Sequence, residues 1–217
     1  MTNKRRYDAL LFDLDGTIID SSEGISHCLK YAIEKVGFGP LEIDVLKYIG
    51  PPIYDVFMDI LHCEELTEQA IAYYREEYAR VGVYMNKLFD GIKEAVHELH
   101  RAGYKILLAT SKPEVSAKVI LKEFKMDEDF DVIGGSTLDG SISHKHEVIL
   151  DVLKRANITD RSRALMIGDR KYDLIGAEKT GLDAMGVLFG FGTREELEEY
   201  PNIYLAATTY DMKNYLL

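Results

Sequence analysis

Short apolar runs alternate with stretches of helical period along most of this chain. Runs at 9–12, 105–109, 130–133 and 164–167, with a fifth at 184–188, are almost uninterrupted in apolar residues. That is the pattern of parallel strands buried on both faces. Between them lie amphipathic stretches. Ile92, Ala95, Val96 and Leu99 recur at helical spacing before Gly103, Pro113 opens a helix carrying Val115, Val119 and Ile120, and Val148, Ile149, Val152 and Leu153 mark a third. Such alternation predicts an α/β core, a doubly wound parallel sheet of Rossmann-like type whose ligands sit at the carboxyl ends of the strands.

From Thr17 to Leu88 the strand signal disappears and helical spacing takes over. Ile25, Leu29, Ile33 and Val36 share one face ahead of Gly37, further helices are expected over 53–61 and 67–81, and Ile71, Tyr74 and Tyr78 form a stripe on the last. Gly50-Pro51-Pro52 punctuates the middle. The expectation is therefore a core built from 1–17 and 86–217, with an α-helical domain of residues 18–85 inserted into it.

Composition narrows the partners. The chain has 217 residues, 47% of them hydrophobic, enough to bury a core. Its 26 Lys and Arg against 37 Asp and Glu leave a formal charge of −11, which repels nucleic acid and anionic membranes and suits a small substrate. Cys28 and Cys63 match neither a metal-binding pair nor a disulfide framework and read as free thiols in a reducing compartment. The basic start Met1-Thr2-Asn3-Lys4-Arg5-Arg6 leads into an apolar run cut by Asp13 and Asp15, which is no signal peptide, and no apolar run reaches the roughly 18 residues of a membrane span. A cytoplasmic monomer or homodimer is expected.

The chemistry lies in where the polar residues fall. Asp13 and Asp15 end the first strand, Thr110 the second and Asp169 the fourth, so all converge on one edge of the sheet. Carboxylates so close to a core are costly unless a cation or a reaction needs them. Lys145 precedes another helix, and Asp173 follows Asp169 by one helical turn. Lys112, just after the strand-end pair, competes with Lys145 but reads more naturally as surface- or cap-facing. An EF-hand reading of Asp13-Leu14-Asp15-Gly16 fails, because its sixth and twelfth positions are Ile18 and Gly24. Gly190-Phe191-Gly192 is not a dinucleotide fingerprint, since Glu195 stands at its third glycine position, and reads as a turn.

Four of these segments resemble the motifs of the haloacid dehalogenase-like hydrolase superfamily, in its phosphoglycolate phosphatase-like branch. They are Asp13-Leu14-Asp15-Gly16-Thr17, Thr110 with Ser111 in Leu107-Leu108-Ala109-Thr110-Ser111-Lys112-Pro113, Lys145 in Ser143-His144-Lys145-His146, and Gly168-Asp169-Arg170-Lys171-Tyr172-Asp173. Their order agrees with the strand positions, and the inserted helices match the family's cap domain. The resemblance implies a Mg²⁺-dependent phosphomonoester hydrolase, phosphoglycolate phosphatase-like, acting on a small phosphorylated metabolite.

In that reading Asp13 is the nucleophile that forms an aspartyl-phosphate, and Asp15 is the general acid and base. Thr110, Ser111 and Lys145 bind phosphate, and Asp13, Asp169 and the backbone carbonyl of Asp15 hold the magnesium ion. Asp173 orients Lys145 or a metal-bound water, and Gly16 lets the backbone turn beside the site. Thr17 either caps that turn or touches substrate. Dehalogenases of the superfamily lack the second aspartate, and its pump ATPases carry threonine there. The resemblance also implies a cap that closes over the site, with Gly50, Pro51 and Pro52 contacting substrate. Alternative activities are a 5′-nucleotidase and a sugar phosphomutase; outside enzymology, a phosphate-sensing binding module remains.

Overall fold

A computed structural model describes residues 6–39 and 44–217, so Met1 to Arg5 of the basic N-terminal stretch lie outside it. The chain runs β1 (Ala9–Phe12), β2 (Ile19–Asp20), α1 (Ser22–Lys35), α2 (Ile53–Leu61), α3 (Glu64–Arg80), β3 (Lys87–Leu88), α4 (Ile92–Arg101) and β4 (Lys105–Pro113). It continues through α5 (Glu114–Glu123), β5 (Val132–Ser136), α6 (Lys145–Arg155), β6 (Ala164–Gly168), α7 (Lys171–Thr180), β7 (Asp183–Val187), α8 (Arg194–Glu198), β8 (Tyr204–Ala206) and α9 (Thr209–Leu216). Two compact units result, one of 6–19 with 88–217 and one of 20–39 with 44–87.

The first unit is a six-stranded sheet in the order β5-β4-β1-β6-β7-β8, with every pairing parallel. The chain leaves β1 in one direction to add β4 and β5, and returns to β1's other side to add β6, β7 and β8. The strand order therefore reverses beside β1, where doubly wound sheets open a crevice at their carboxyl edge. Alternation on β1 sends Ala9 and Leu11 into a core shared with Leu107, Val148, Met166 and Leu174, while Leu10 and Phe12, equally buried, face the opposite side.

Two local departures from the sequence pattern have physical causes. The run at 130–133 enters the ladder only at Val132, because the Asp131 carboxylate accepts the Ile106 N–H at 2.8 Å in place of a strand carbonyl. The strand then continues through Gly134 and Gly135, which leave room for Val152 and for the Lys112–Glu114 backbone. On α5 the inward stripe is Ala117, Ile120 and Leu121, and Val115 and Val119 turn outward, 57% and 41% exposed. The chain continues beyond the fifth apolar run, where the pattern gives no reading, into α8, β8 and α9. Three residues of β8 on the sheet edge are too few to show a period.

The second unit is helical. The inward face of α1 is Ile25, Cys28, Leu29, Ala32 and Ile33. Gly24 and Gly82 allow close approach there, since a Cβ on Gly24 would stand 2.6 Å from the Gly82 carbonyl and one on Gly82 2.6 Å from Cys28 Sγ. On α3, Tyr74 stacks on Tyr78 at 5.6 Å and meets Phe57 of α2 edge-on at 6.0 Å. Gly50 has φ +114°, and Pro52 sits at the N-cap of α2. Among the described residues no helix is long and apolar enough to cross a membrane, and both cysteines are free.

Candidate active site

Asp13 is the first residue past β1, and its N–H still donates to Ile167 O of β6 at 2.9 Å, so the ladder fixes its Cα. The chain then reverses: Ile18 and Ile19 N–H donate to Leu14 O at 2.9 and 3.0 Å, and Gly16 N–H to Ile19 O at 2.8 Å. Gly16 has φ +85°, and a Cβ there would overlap the Asp169 carboxylate, so both conformation and space demand glycine. Thr17 is fully buried, and its hydroxyl donates to Asp169 Oδ1 at 3.4 Å, tying the first motif to the fourth.

Asp169 follows β6. Its Oδ2 accepts the Phe191 N–H at 2.7 Å from the turn after β7, and a side chain at Gly190 or Gly192 would overlap Gly16 or Asp169 backbone. Gly190-Phe191-Gly192 is thus a turn, as its sequence suggests, and one built to hold this carboxylate. The Phe191 ring packs edge-on against Phe89 at 6.4 Å.

Lys145 opens α6 as a buried ammonium. Glu147 fixes that helix start by accepting the Ser143 and His144 N–H groups, each at 2.9 Å. Lys145 Nζ then donates to Asp13 Oδ1 at 2.7 Å and to Ala109 O at 2.9 Å, and pairs with Asp173 Oδ1 at 2.8 Å. The other Asp173 oxygen accepts the Arg170 N–H at 3.1 Å, which places this carboxylate on the first turn of α7. Its carboxyl group packs where a Cβ on Gly168 would stand. Thr110 is buried in β4 just past its apolar run, with its Oγ1 accepting the Lys112 N–H at 3.2 Å, and Ser111 beside it is half-buried. Gly50, Pro51 and Pro52 belong to the helical unit.

For Lys112 the surface alternative does not hold. Rather than facing solvent it is buried, with Nζ 3.2 Å from Asp15 Oδ1. The apolar run ends at Ala109 but β4 continues to Pro113, through a register shift between Thr110 and Pro113. That shift re-aims the residues in between.

Charge is unbalanced here. Among the described residues, Asp13, Asp15, Asp169 and Asp173 are buried beside Lys112 and Lys145, while Arg170 is taken up by Glu196 at 3.0 Å. Burial pushes the Asp13 carboxyl up to about 6 against the pull of Lys145, with the Asp173 and Asp15 charges adding to the rise. Burial, then Asp173 and Asp13, holds Asp169 well above the usual carboxylate range, only partly offset by the Phe191 N–H and Arg170. For Lys145, burial favours the neutral amine, and the Asp13 and Asp173 carboxylates overcome it, so the ammonium is held firmly charged.

Oxygens of Asp13, Asp169 and Asp173 lie within 4.8 Å of one another. Three hard oxygen donors, in a cluster of four carboxylates against two lysine ammoniums, suit a divalent cation such as magnesium. The residues present therefore fit the metal that the sequence implies.

A doubly wound sheet presenting a carboxylate cluster, a buried lysine and a hydroxyl at its switch point is the arrangement of an α/β enzyme. The model of the haloacid dehalogenase-like hydrolase family matches residues 10–187, so the chain belongs to that family. A 5′-nucleotidase of Pseudomonas aeruginosa is 39% identical over 204 residues, covering 93% of this chain and 92% of the relative. The tyrosine-protein kinase PtkA of Mycobacterium tuberculosis is 36% identical over 191 residues, covering 88% of this chain and 65% of that longer protein. Among solved structures, a predicted phosphatase from Clostridium acetobutylicum superposes with a TM-score of 0.91 at 40% identity, covering 96% of this chain and 97% of that one.

Proposed function

We propose that this chain is a magnesium-dependent phosphomonoester hydrolase acting through an aspartyl-phosphate on Asp13. The observation that carries the proposal is the Lys145 ammonium, 2.7 Å from Asp13 Oδ1 and 2.8 Å from Asp173 Oδ1, in a buried cluster whose carboxylates outnumber its cations.

In the proposed reaction an Asp13 oxygen attacks phosphorus and the ester P–O bond breaks. Asp15 gives its proton to the departing oxygen, releasing an alcohol. Water then attacks phosphorus, Asp15 takes the water's proton, and the bond to Asp13 breaks to give inorganic phosphate. Lys145 and the Thr110 hydroxyl, with Ser111, hold the phosphoryl oxygens as charge develops, and Asp173 keeps Lys145 in place. Asp13, Asp169 and the Asp15 backbone carbonyl would hold the metal, whose charge offsets the repulsion between carboxylate and phosphoryl group. With its carboxyl near 6 even before metal arrives, Asp13 is largely ionised at neutral pH.

The proposed substrate is a small phosphorylated metabolite. The motifs favour a phosphoglycolate-like ester, and the 39% identity to a 5′-nucleotidase favours a nucleoside monophosphate as the second reading. Gly50, Pro51 and Pro52 are proposed as determinants of that preference; unchanged relative rates across esters after their replacement would remove them from it. The test of the whole reading is phosphate release from a panel of phosphomonoesters, with Mg²⁺ and with excess chelator, for wild type and Asp13→Asn. Metal-dependent release confined to wild type is the expected result. Equal release by both proteins, or none from any ester, overturns the proposal.

A further inference from the structure

Lys112 is a charge buried without an obvious reason in the four motifs. Burying an ammonium is costly unless it is paired, and three features of the fold put it beside Asp15. The β4 register shift between Thr110 and Pro113 re-aims the intervening side chains. Backbone N–H of Lys112 donates to Thr110 Oγ1 at 3.2 Å, coupling the lysine to the residue placed against phosphate. Gly135 of the neighbouring strand lets that bulge seat, since a Cβ there would overlap the Lys112 carbonyl and approach the Glu114 nitrogen to 2.8 Å. The outcome is an Nζ 3.2 Å from Asp15 Oδ1, with both side chains nearly withdrawn from solvent.

We infer that Lys112 is a positioning residue for the acid–base step: its ammonium pins Oδ1 of Asp15, so that Oδ2 is presented first to the leaving oxygen and then to the attacking water. The inference rests on the acid–base reading of Asp15 given above. A carboxyl group held at one oxygen still gives and takes a proton at the other, so the same Lys112 contact serves both half-reactions, to the neutral acid in the first and to the carboxylate in the second. During phosphorylation the proton passes from Asp15 Oδ2 to the ester oxygen as the P–O bond breaks. During hydrolysis it returns to Oδ2 from water as the new P–O bond forms.

A residue that acts only through the proton donor matters only where a proton is needed. An alkyl phosphate needs one to release its alcohol, whereas p-nitrophenyl phosphate releases a stable phenolate without it. For Lys112→Met, kcat/KM on an alkyl monoester should fall about 10²-fold, the low end of what general acid catalysis supplies, while kcat/KM on p-nitrophenyl phosphate stays within about threefold. Adding Lys112→Met to Asp15→Asn should cost nothing further, because the pinned group is already gone. If Lys112→Met does not fold, Lys112→Arg, which keeps a cation of different reach, serves the same two-ester comparison, with the alkyl ester again the more affected.

Equal losses on both esters, or losses that add in the double variant, would assign Lys112 to substrate binding or to folding and overturn the inference. Unchanged alkyl activity in Lys112→Met, with an active wild type, would overturn it alone. A wild type that releases phosphate from neither ester would instead remove the hydrolase reading beneath it.

Discussion

Replacing Gly190 by alanine should weaken metal activation more than it weakens the fold. The new Cβ would stand 2.5 Å from Asp169 Cβ and 2.6 Å from its Oδ2, and would overlap the Gly16 carbonyl on the other side. Ordinary van der Waals contact begins at 3.4 Å, so relief toward Oδ2 alone requires a displacement of about 0.8 Å, the difference between those two distances. Gly16 is held by its bond to Ile19 O, so the backbone at 190–191 must shift as well as the Asp169 side chain, which loosens the Phe191 N–H that holds that carboxylate at 2.7 Å. Overpacking of this kind costs roughly 1–3 kcal/mol of stability. Misplacing a carboxylate among metal-site partners costs on the order of 10–100-fold in metal affinity or activity.

The assay is the Mg²⁺ concentration giving half-maximal phosphate release, measured beside the melting temperature. Gly181→Ala is the control: φ there is +74° with nothing within 4 Å, so it should cost roughly 1–2 kcal/mol in strain and leave Mg²⁺ activation unchanged. A folded Gly190→Ala protein with half-activation within twofold of wild type would refute the role assigned to the Phe191 turn.

Three further outcomes follow from the same geometry. Mg²⁺ at about one hundred times its Kd should stabilise wild type by about 2.7 kcal/mol, roughly 5–10 °C in Tm, and should not raise the Tm of Asp169→Asn. Glu147→Ala removes the acceptor of the Ser143 and His144 N–H groups; it should cost roughly 0.5–2 kcal/mol in thermal denaturation and lower kcat, because Lys145 is the first residue of that helix. In chelator, the carboxyl of Asp13 sits near 6, above its ordinary value of 3.8, so the folded state binds the extra proton and its stability declines as pH rises through that window. Metal-free Asp13→Asn should therefore melt above wild type at pH 7, with the gap closing toward pH 4; a gap that widens on acidification would contradict the assignment.

Asp13, Asp15, Thr110 and Asp169 were legible in the sequence because each ends an apolar run, and polar residues at strand ends of a parallel sheet converge on one edge. Lys145 had no such marker. Its place depends on the cap formed by Glu147 and on Gly176, where a Cβ would come within 2.7 Å of the lysine stem. The burial of Lys112 was not legible because β4 outlasts its apolar run by four residues, and the bulge turns that lysine inward. Gly190-Phe191-Gly192 read as an ordinary turn: what it contributes is a backbone N–H, which no side-chain pattern encodes. The reversal of strand order beside β1, which brings Asp13 and Asp169 side by side, is a long-range pairing that periodicity does not report.

A covalent phosphoryl bond to Asp13 can be trapped by quenching wild type during turnover of a reactive phosphate ester, reducing with borohydride and mapping the peptides. Homoserine is expected at position 13, absent without substrate and absent in Asp13→Asn. Phosphate release with no modification at Asp13, or a phosphoryl group trapped on Thr110 or another residue instead, would contradict it.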